Sequence, residues 1–232
     1  MNQHMPLHTM PEDPTPYDED QVDTLPASLT DAASARKRPK PGERRIQILQ
    51  ALAAMLEQPV GERITTAALA ARLQVSEAAL YRHFASKAQM FEGLIEFIEQ
   101  SVFTLANQIV EREQGEDPTA GARQSSRIVS MLVQFAEKNP GMSRVMVGDA
   151  LVFENERLQQ RMNQFFDKIE ATLKQCLRAN AAPVSLTPTV DAQVRAAVLT
   201  AFVVGRLQRF VRSGFKRLPS EHLEASLAAM LG

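Results

Sequence analysis

A chain of 232 residues with 44% hydrophobic and 23% charged residues can bury an ordinary core in one or two domains. Its formal net charge of -1 means that any nucleic-acid site must be a local patch. The sequence has no run of about 18 apolar residues, which excludes an obvious membrane span. The acidic, proline-containing N-terminus is unlike a signal peptide. Since Cys176 is the single cysteine, no intramolecular disulfide forms, and we expect a cytoplasmic protein.

Residues 1–41 are rich in proline and acidic side chains and hold few large apolar ones. Such a composition cannot offset the entropy of ordering, so the sequence predicts a disordered tail. We interpret its acidic half as a solvated linker. Its basic end comprises Arg36, Lys37, Arg38 and Lys40. For this end two interpretations remain open, a solvated linker or an arm that contacts nucleic-acid phosphates.

From Gly42 onward, apolar residues recur at spacings of three and four, the period of an amphipathic helix, and no segment alternates as a strand would. These apolar stripes run through residues 48–56, 91–109, 128–135 and 158–177. Prolines with helix-starting chemistry separate several of them. Ser86 and Gln89 have the spacing of a capping box, in which each side chain bonds the backbone N–H of the other residue. The sequence therefore predicts an all-α fold.

The segment from Ile64 to Phe84 predicts two short helices joined by a tight turn. Thr65 or Thr66 would cap the first helix, and Ser76 would cap the second. The outward face of the second helix combines short and polar side chains, namely Ser76, Glu77, Ala78, Tyr81, Arg82 and His83. Short side chains at its start would let this helix enter the major groove of DNA, where base edges differ. The segment therefore predicts a helix-turn-helix that binds double-stranded DNA.

Several side chains around this unit have the chemistry of phosphate contacts. The hydroxyls of Thr65, Thr66 and Tyr81 and the ring of His83 can donate hydrogen bonds to phosphate oxygens. Lys87 follows in the first turn of the next helix, where a cation opposes the helix dipole, so its position suggests a purpose other than helix stability. The alternative is three packed helices that bind nothing. We disfavour it because the polar groups cluster on one short face.

These motifs resemble a known family. The residues Thr65-Thr66, Leu69-Ala70, Val75-Ser76, Leu80–Phe84 and Ser86-Lys87 are similar to the TetR-type DNA-binding domain. The run 76–84, with Met90-Phe91 and residues 94–99, resembles more narrowly the SlmA family of bacterial nucleoid occlusion factors. Separate motifs extend that likeness toward the C-terminus, namely Asn139-Pro140-Gly141, Phe153-Glu154, Arg157-Leu158-Gln159 and residues 209–216.

The resemblance covers roughly residues 42–232 and implies a TetR-like fold. It implies a helix-turn-helix DNA-binding domain over residues 42–102, whose last helix continues to about residue 113. A helical regulatory and dimerisation domain would follow over residues 103–232. One departure is Gln74, which occupies a turn position where the family usually has glycine. A left-handed backbone there would cost a non-glycine residue about 1 kcal/mol.

The predicted helix from about residue 188 to 213 carries Ala197, Ala201 and Gly205 at a spacing of four. Small residues on one stripe let another helix approach closely, and Phe202 flanks the stripe together with valines. Tight packing within the same chain is one interpretation. The resemblance implies instead a four-helix dimer interface that includes the last helix, residues 220–231. A two-fold dimer also suits a palindromic DNA site.

Two predicted helices show side chains outside their buried stripes. Phe97 lies beside the stripe of the long helix, and Phe103 lies farther round. Packing against a neighbouring helix is one interpretation. The resemblance implies instead a groove that binds the C-terminal tail of the tubulin-like division protein FtsZ, formed by Phe97, Met131, Gln134, Lys138 and Asn139. Gln134 stands where the resemblance would place glycine, and Leu105 where it would place arginine.

No catalytic constellation is evident in the sequence. It has no phosphate-cradling glycine loop and no His or Cys pair at metal-ligand spacing, so we expect neither a cofactor nor an enzyme. Glu154 and Glu156 lack a partner that would make an acid/base pair. The main hypothesis is a homodimeric, nucleoid-associated protein on palindromic DNA, with several dimers allowed at one site. When DNA-bound, it would antagonise FtsZ assembly and block septum formation over the chromosome. The alternative is a ligand-responsive TetR-type transcriptional repressor with a pocket in its second domain.

Overall fold

The computed structural model describes residues 42–58, 64–113, 117–179 and 188–232. The predicted tail, including its basic end, lies outside them. The described chain is all-α and holds no strand, which confirms the predicted fold class. Its helices are α1 (Glu43–Leu56), α2 (Thr66–Arg72), α3 (Glu77–Tyr81), α4 (Lys87–Arg112), α5 (Ala120–Lys138), α6 (Pro140–Met146), α7 (Glu156–Ala179), α8 (Pro188–Arg212) and α9 (Leu223–Leu231). A short 3-10 turn, Asp149–Leu151, lies between α6 and α7.

Side-chain caps fix the starts of α2, α3 and α4. Thr65 and Ser76 each accept a backbone N–H from the first turn of their helix, at 3.1 and 3.3 Å. Ser86 accepts the N–H of Gln89 at 3.2 Å. The second half of the predicted capping box is wrong, because Gln89 Oε1 accepts from the N–H of Ala85 at 2.8 Å. Because the backbone at Ser86 is extended, the Gln89 side chain binds the backbone N–H of Ala85 and not that of Ser86.

The turn between α2 and α3 holds Gln74 in the left-handed region, with φ 53°. This matches the conformation expected at a position that often carries glycine. The N–H of Val75 donates to the carbonyl oxygen of Ala70 at 3.0 Å and closes the turn. The half-buried Val75 side chain packs on the core, so closure and packing together offset the penalty of about 1 kcal/mol.

One continuous core runs from α1 to α9. Its largest buried side chains include Phe84, Phe91 and Phe165. Helix α7 packs against α4, α5 and α8, and α4 is buried along most of its length. Because α4 is one unbroken helix, the predicted boundary near residue 102 falls inside it and remains a prediction. None of the described helices is long and apolar enough to cross a membrane.

A close approach joins α6 to α1. A β-carbon added at Gly141 of α6 would lie 2.1 Å from the carbonyl oxygen of Ala53 in α1, so this contact requires glycine. Arg144 of α6 also donates to the carbonyl oxygen of Leu56 at 3.3 Å. The second half of the chain is therefore fixed directly to the helix that supports the recognition unit.

Candidate DNA, dimer and peptide interfaces

The recognition helix α3 presents its predicted DNA face to solvent. Leu80 and Phe84 anchor the helix and its end in the core, each with 1% of its surface exposed. The opposite face is exposed throughout and consists of the predicted residues Ser76, Glu77, Ala78, Tyr81, Arg82 and His83. A helix that is buried on one side and exposed to solvent on the other can enter the major groove of DNA.

Hydrogen bonds join this face to the start of α2. Thr66 Oγ1 donates to Glu77 Oε2 at 2.6 Å, and the Tyr81 hydroxyl donates to Thr66 Oγ1 at 3.5 Å. Thr65, the cap of α2, is exposed next to Thr66 in the chain. The structure thus places both threonines at the same surface as α3. Their contact with phosphate remains a prediction.

Lys87, at the start of α4, forms an ion pair with Glu154, just before α7. Their side chains are 21% and 11% exposed, so the pair is partly shielded from water. The sequence indicated no partner for Glu154, and the structure supplies one from a distant part of the chain. The Lys87 ammonium also lies 5.7 Å from the ring centroid of Phe91, within cation–π range. A phosphate contact by Lys87 must therefore compete with these contacts.

Arg45 belongs to the surface around α3, although the sequence did not single it out. It lies in the first turn of α1, and its guanidinium carbon is 4.1 Å from the ring centroid of Phe84. Its Nη1 donates to the carbonyl oxygen of His83 at 3.1 Å. A cation in a first turn opposes the helix dipole. That signal singled out Lys87 and, applied to α1, would have marked both Arg44 and Arg45.

The outer face of α8 is apolar and largely open within the protomer. Ala201 is exposed, Ala197 and Phe202 are half-buried, and a β-carbon added at Gly205 would meet no atom of the described residues within 4 Å. Exposed valines extend this face, namely Val190, Val194 and Val198. The core contacts come from the other side of the helix, namely from Ala192, Ala196, Leu199, Val203 and Leu207. The stripe of small residues thus faces away from the protomer core, which favours a dimer interface over packing within the chain.

The predicted peptide-binding residues lie on α4, on α5 and, for Asn139, directly after the end of α5. Gln134 and Lys138 are exposed, Met131 and Asn139 are half-buried, and Phe97 is 47% exposed. The other flanking aromatic, Phe103, packs edge-on against Phe165 of α7 with ring centroids 5.5 Å apart. Packing against a neighbouring helix therefore accounts for Phe103. It does not account for the exposed part of Phe97.

Helices α4 and α5 run antiparallel. The side chain of Gln124, early in α5, donates to the carbonyl oxygen of Val110, late in α4, at 3.3 Å. Phe97 and Lys138 are about equally far along the chain from this contact, in opposite directions. They therefore lie at the same end of the helix pair, where an apolar and a basic side chain could meet one peptide.

The comparisons with known proteins agree on one family. The tetR family of bacterial regulatory proteins matches residues 48–94, and the SlmA-like tetracyclin repressor-like C-terminal domain matches residues 122–231. The nucleoid occlusion factor SlmA of Idiomarina loihiensis is 51% identical over 187 residues, which cover 81% of this chain and 93% of that relative. SlmA of Marinomonas sp. is 52% identical over 182 residues, which cover 78% and 90%. The chain belongs to the SlmA family of nucleoid occlusion factors.

Solved structures of transcriptional regulators share the fold of this SlmA-family chain. A transcriptional regulator from Rhodococcus sp. Rha1 matches with a TM-score of 0.63 and 24% identity, covering 81% of this chain and 94% of the other. The regulator FadR of Bacillus subtilis, solved in complex with stearoyl-CoA, matches with a TM-score of 0.62 and 12% identity, covering 81% and 97%. At such identities the likeness shows the fold alone. Membership of the SlmA and tetR families implies DNA binding and dimer formation.

A cleft of about 540 Å³ lies between α4 and α7 of this family member. Its lining is mostly polar and consists of Glu92, Arg157, Leu158, Gln160, Arg161 and Gln164. Arg161 is held there by Glu99 at 2.6 Å and by the carbonyl oxygen of Glu92 at 3.4 Å. Small-molecule sites are mostly apolar, so this lining differs from theirs.

Cys176 is buried in the core, and burial raises the pKa of its thiol, which makes it a poor nucleophile.

Proposed function

We propose that this chain is a sequence-specific DNA-binding nucleoid occlusion factor whose DNA-bound form antagonises FtsZ assembly and blocks septum formation over the chromosome. The observation that carries the proposal is the presence of two separate exposed faces on one SlmA-family chain. One is the polar face of α3, and the other is the apolar and basic face of α4 and α5. A protein that holds DNA and a peptide at the same time needs two such faces.

In this proposal a homodimer places one α3 in each of two successive major grooves of a palindromic site. Short side chains, Ser76 and Ala78, allow the helix to approach closely, and Glu77 and Arg82 reach base edges. The remaining groups contact phosphates, namely Thr65, Thr66, Tyr81, His83 and Lys87. Cationic side chains that pair with phosphates, Lys87 among them, release bound counterions, so affinity falls as the salt concentration rises. More than one dimer can share a site.

The FtsZ tail would bind at the end of α4 and α5 that holds Phe97 and Lys138. Phe97 supplies an exposed aromatic anchor, and Met131 supplies further, half-buried apolar surface on α5. Lys138 attracts an acidic peptide, because opposite charges favour encounter and register. Leu105, which is 41% exposed, stands where the resemblance places arginine. Apolar contact therefore has a larger share in this groove than charge.

Two contacts support coupling between the DNA face and the peptide face. The Lys87–Glu154 ion pair joins the start of α4 to the segment before α7, and Gly141 fits α6 closely onto α1. A phosphate that takes Lys87 from Glu154 would alter the balance between two arrangements of these helices. DNA would then shift the population toward the form that binds FtsZ.

Genome-wide mapping of the bound sites, combined with peptide binding, tests the proposal. We expect many palindromic sites spread along the chromosome and few near the terminus. An FtsZ tail peptide should bind more tightly when operator DNA is present, as measured by fluorescence anisotropy. Occupancy confined to a few promoters, with no peptide binding in the presence of DNA, would refute the proposal.

The alternative is a ligand-responsive tetR-type repressor, and the polar cleft between α4 and α7 is the place where it can be tested. A ligand in this cleft would contact Arg157 and Arg161 on α7 and Glu92 on α4. Filling it with Gln160→Trp should then block release from DNA without changing operator affinity. Unchanged behaviour of this variant toward FtsZ would separate the cleft from the proposed function.

A further inference from the structure

The recognition helix α3 is too short to hold its own orientation. It contains five residues, whereas isolated helices shorter than about 12 residues are marginal in water. Its start is fixed by the Ser76 cap and by the Thr66–Glu77 hydrogen bond, and Leu80 anchors its middle. The angle at which α3 leaves the surface therefore depends on what fixes its far end.

Phe84 and Arg45 make the contacts at that far end. The Phe84 ring is tightly enclosed, since a β-carbon added at Gly93 of α4 would lie 3.2 Å from Phe84 Cε1 and 3.3 Å from Leu49 Cδ2. The Arg45 guanidinium covers the ring at 4.1 Å and donates to the carbonyl oxygen of His83 at 3.1 Å. One planar side chain thus holds both the backbone after α3 and the aromatic residue that anchors it.

The charge of Arg45 does not serve its own helix. A cation in the first turn of α1 opposes the helix dipole, so the α1 backbone gains nothing from it. Its neighbour Arg44 lies in the same turn but donates to Gln47 of the same helix at 3.0 Å. The two arginines therefore form a natural pair for comparison, one directed at α3 and one at α1 itself.

We propose that Arg45 is a positioning residue for base recognition, which sets the angle and depth of α3 in the major groove. The inference rests on the proposed use of α3 as the recognition helix. The competing explanation is a plain phosphate contact, which needs the positive charge alone. The substitution Arg45→Lys distinguishes the two explanations, because lysine keeps the positive charge but lacks the planar guanidinium that stacks and donates hydrogen bonds in fixed directions.

The test uses the full chain with Arg45→Lys, Arg45→Ala and the control Arg44→Ala. Dissociation constants are measured for a palindromic operator and for a scrambled duplex over a range of salt. We expect Arg45→Lys to lose roughly 5- to 100-fold in operator affinity for each half-site, as for one misplaced base contact there. Its affinity for the scrambled duplex and its salt slope should stay at the parental values. Arg44→Ala should keep the parental ratio of operator to scrambled affinity.

The inference would be overturned if Arg45→Lys kept the parental ratio of operator to scrambled affinity while the salt slope of the Arg45→Ala dimer was smaller by about 1.8, that is, by about 0.9 for each of its two arginines. That result would establish a phosphate contact. A lowered melting temperature with an unchanged ratio would also overturn it, since it would show a purely structural role. If Arg45→Ala unfolds, Arg45→Lys alone decides between these outcomes. Failure of the proposed function looks different, because the parent protein itself would then fail to distinguish operator from scrambled DNA.

Discussion

Gly205→Leu tests the dimer interface, because this position separates effects on the protomer from effects on the dimer. Within the protomer, a β-carbon at Gly205 meets no described atom within 4 Å. Replacing a glycine in a helix interior with leucine also gains up to about 1 kcal/mol of helix propensity. Each protomer should therefore be as stable as the parent or slightly more stable. Any loss must arise where a second chain covers the α8 face.

In the dimer the same change is unfavourable. Forcing a larger side chain between closely packed helices costs about 1–3 kcal/mol, and two-fold symmetry introduces the change twice. The dimer should lose about 2–6 kcal/mol, which corresponds to a rise in its dissociation constant of about 30-fold to more than 10,000-fold. Operator binding should fall with it, because a palindrome requires two recognition helices at once.

Sedimentation equilibrium over a wide concentration range measures this shift, with circular dichroism to check the fold. A matched comparison is Ala201→Leu on the exposed face of α8 against Ala171→Leu on an exposed face of α7. The first should weaken the dimer and the second should not. A Gly205→Leu protein that remains dimeric at parental affinity would place the interface on another surface.

Two further predictions concern the peptide face and the approach of α6 to α1. Phe97→Ala and Lys138→Glu should bind operator DNA like the parent but bind an FtsZ tail peptide more weakly. For Phe97→Ala the binding free energy of the peptide should fall by about 2 kcal/mol if Phe97 is a main anchor. Fluorescence anisotropy with and without operator measures the peptide affinity, and parental affinity in both variants would exclude this groove. Gly141→Ala would place a β-carbon 2.1 Å from the Ala53 carbonyl oxygen, so it should destabilise the fold by about 1–3 kcal/mol or more. Thermal melts measure the loss, and a melt at the parental temperature would show that this approach can open freely.

The recognition unit could be predicted closely from sequence because local chemistry determines it. Thr65, Ser76 and Ser86 have hydroxyls that cap the following turn, and each does so in the structure. Leu80 and Phe84 are buried in the core, so the polar face of α3 that the sequence predicted to be outward does lie outward. Each of these inferences depends on residues within one or two turns of each other.

Contacts between distant segments could not be predicted in the same way. The helix-dipole rule marked Lys87 as unusual, but nothing in the sequence connects it with Glu154, which lies in the segment before α7. Arg45 shows the same limit, since its partners His83 and Phe84 lie beyond α2. Local rules identify a side chain that is out of place in its own helix. Only the packed fold shows which distant group accounts for it.

The exchange of Lys87 between Glu154 and DNA gives the proposed coupling a direct test. Glu154→Gln removes the carboxylate, so a phosphate no longer has to compete for the ammonium. A partly exposed ion pair contributes at most about 1 kcal/mol and the dimer holds two such pairs, so affinity for duplexes of every sequence should rise by up to about 30-fold. Glu156→Gln removes the same charge from the exposed start of α7 and is the matched control.

The two glutamate variants distinguish partner exchange from a general change in charge. If Lys87 exchanges partners, Glu154→Gln should bind DNA more tightly and Glu156→Gln should not. Without DNA, Glu154→Gln should also bind the FtsZ tail peptide with an affinity closer to that of the DNA-bound parent. An equal gain in both variants would indicate a simple loss of repulsion between protein and DNA. Unchanged DNA affinity in Glu154→Gln would show that Lys87 stays off the phosphates, and the coupling would then have to run through α1 and α6.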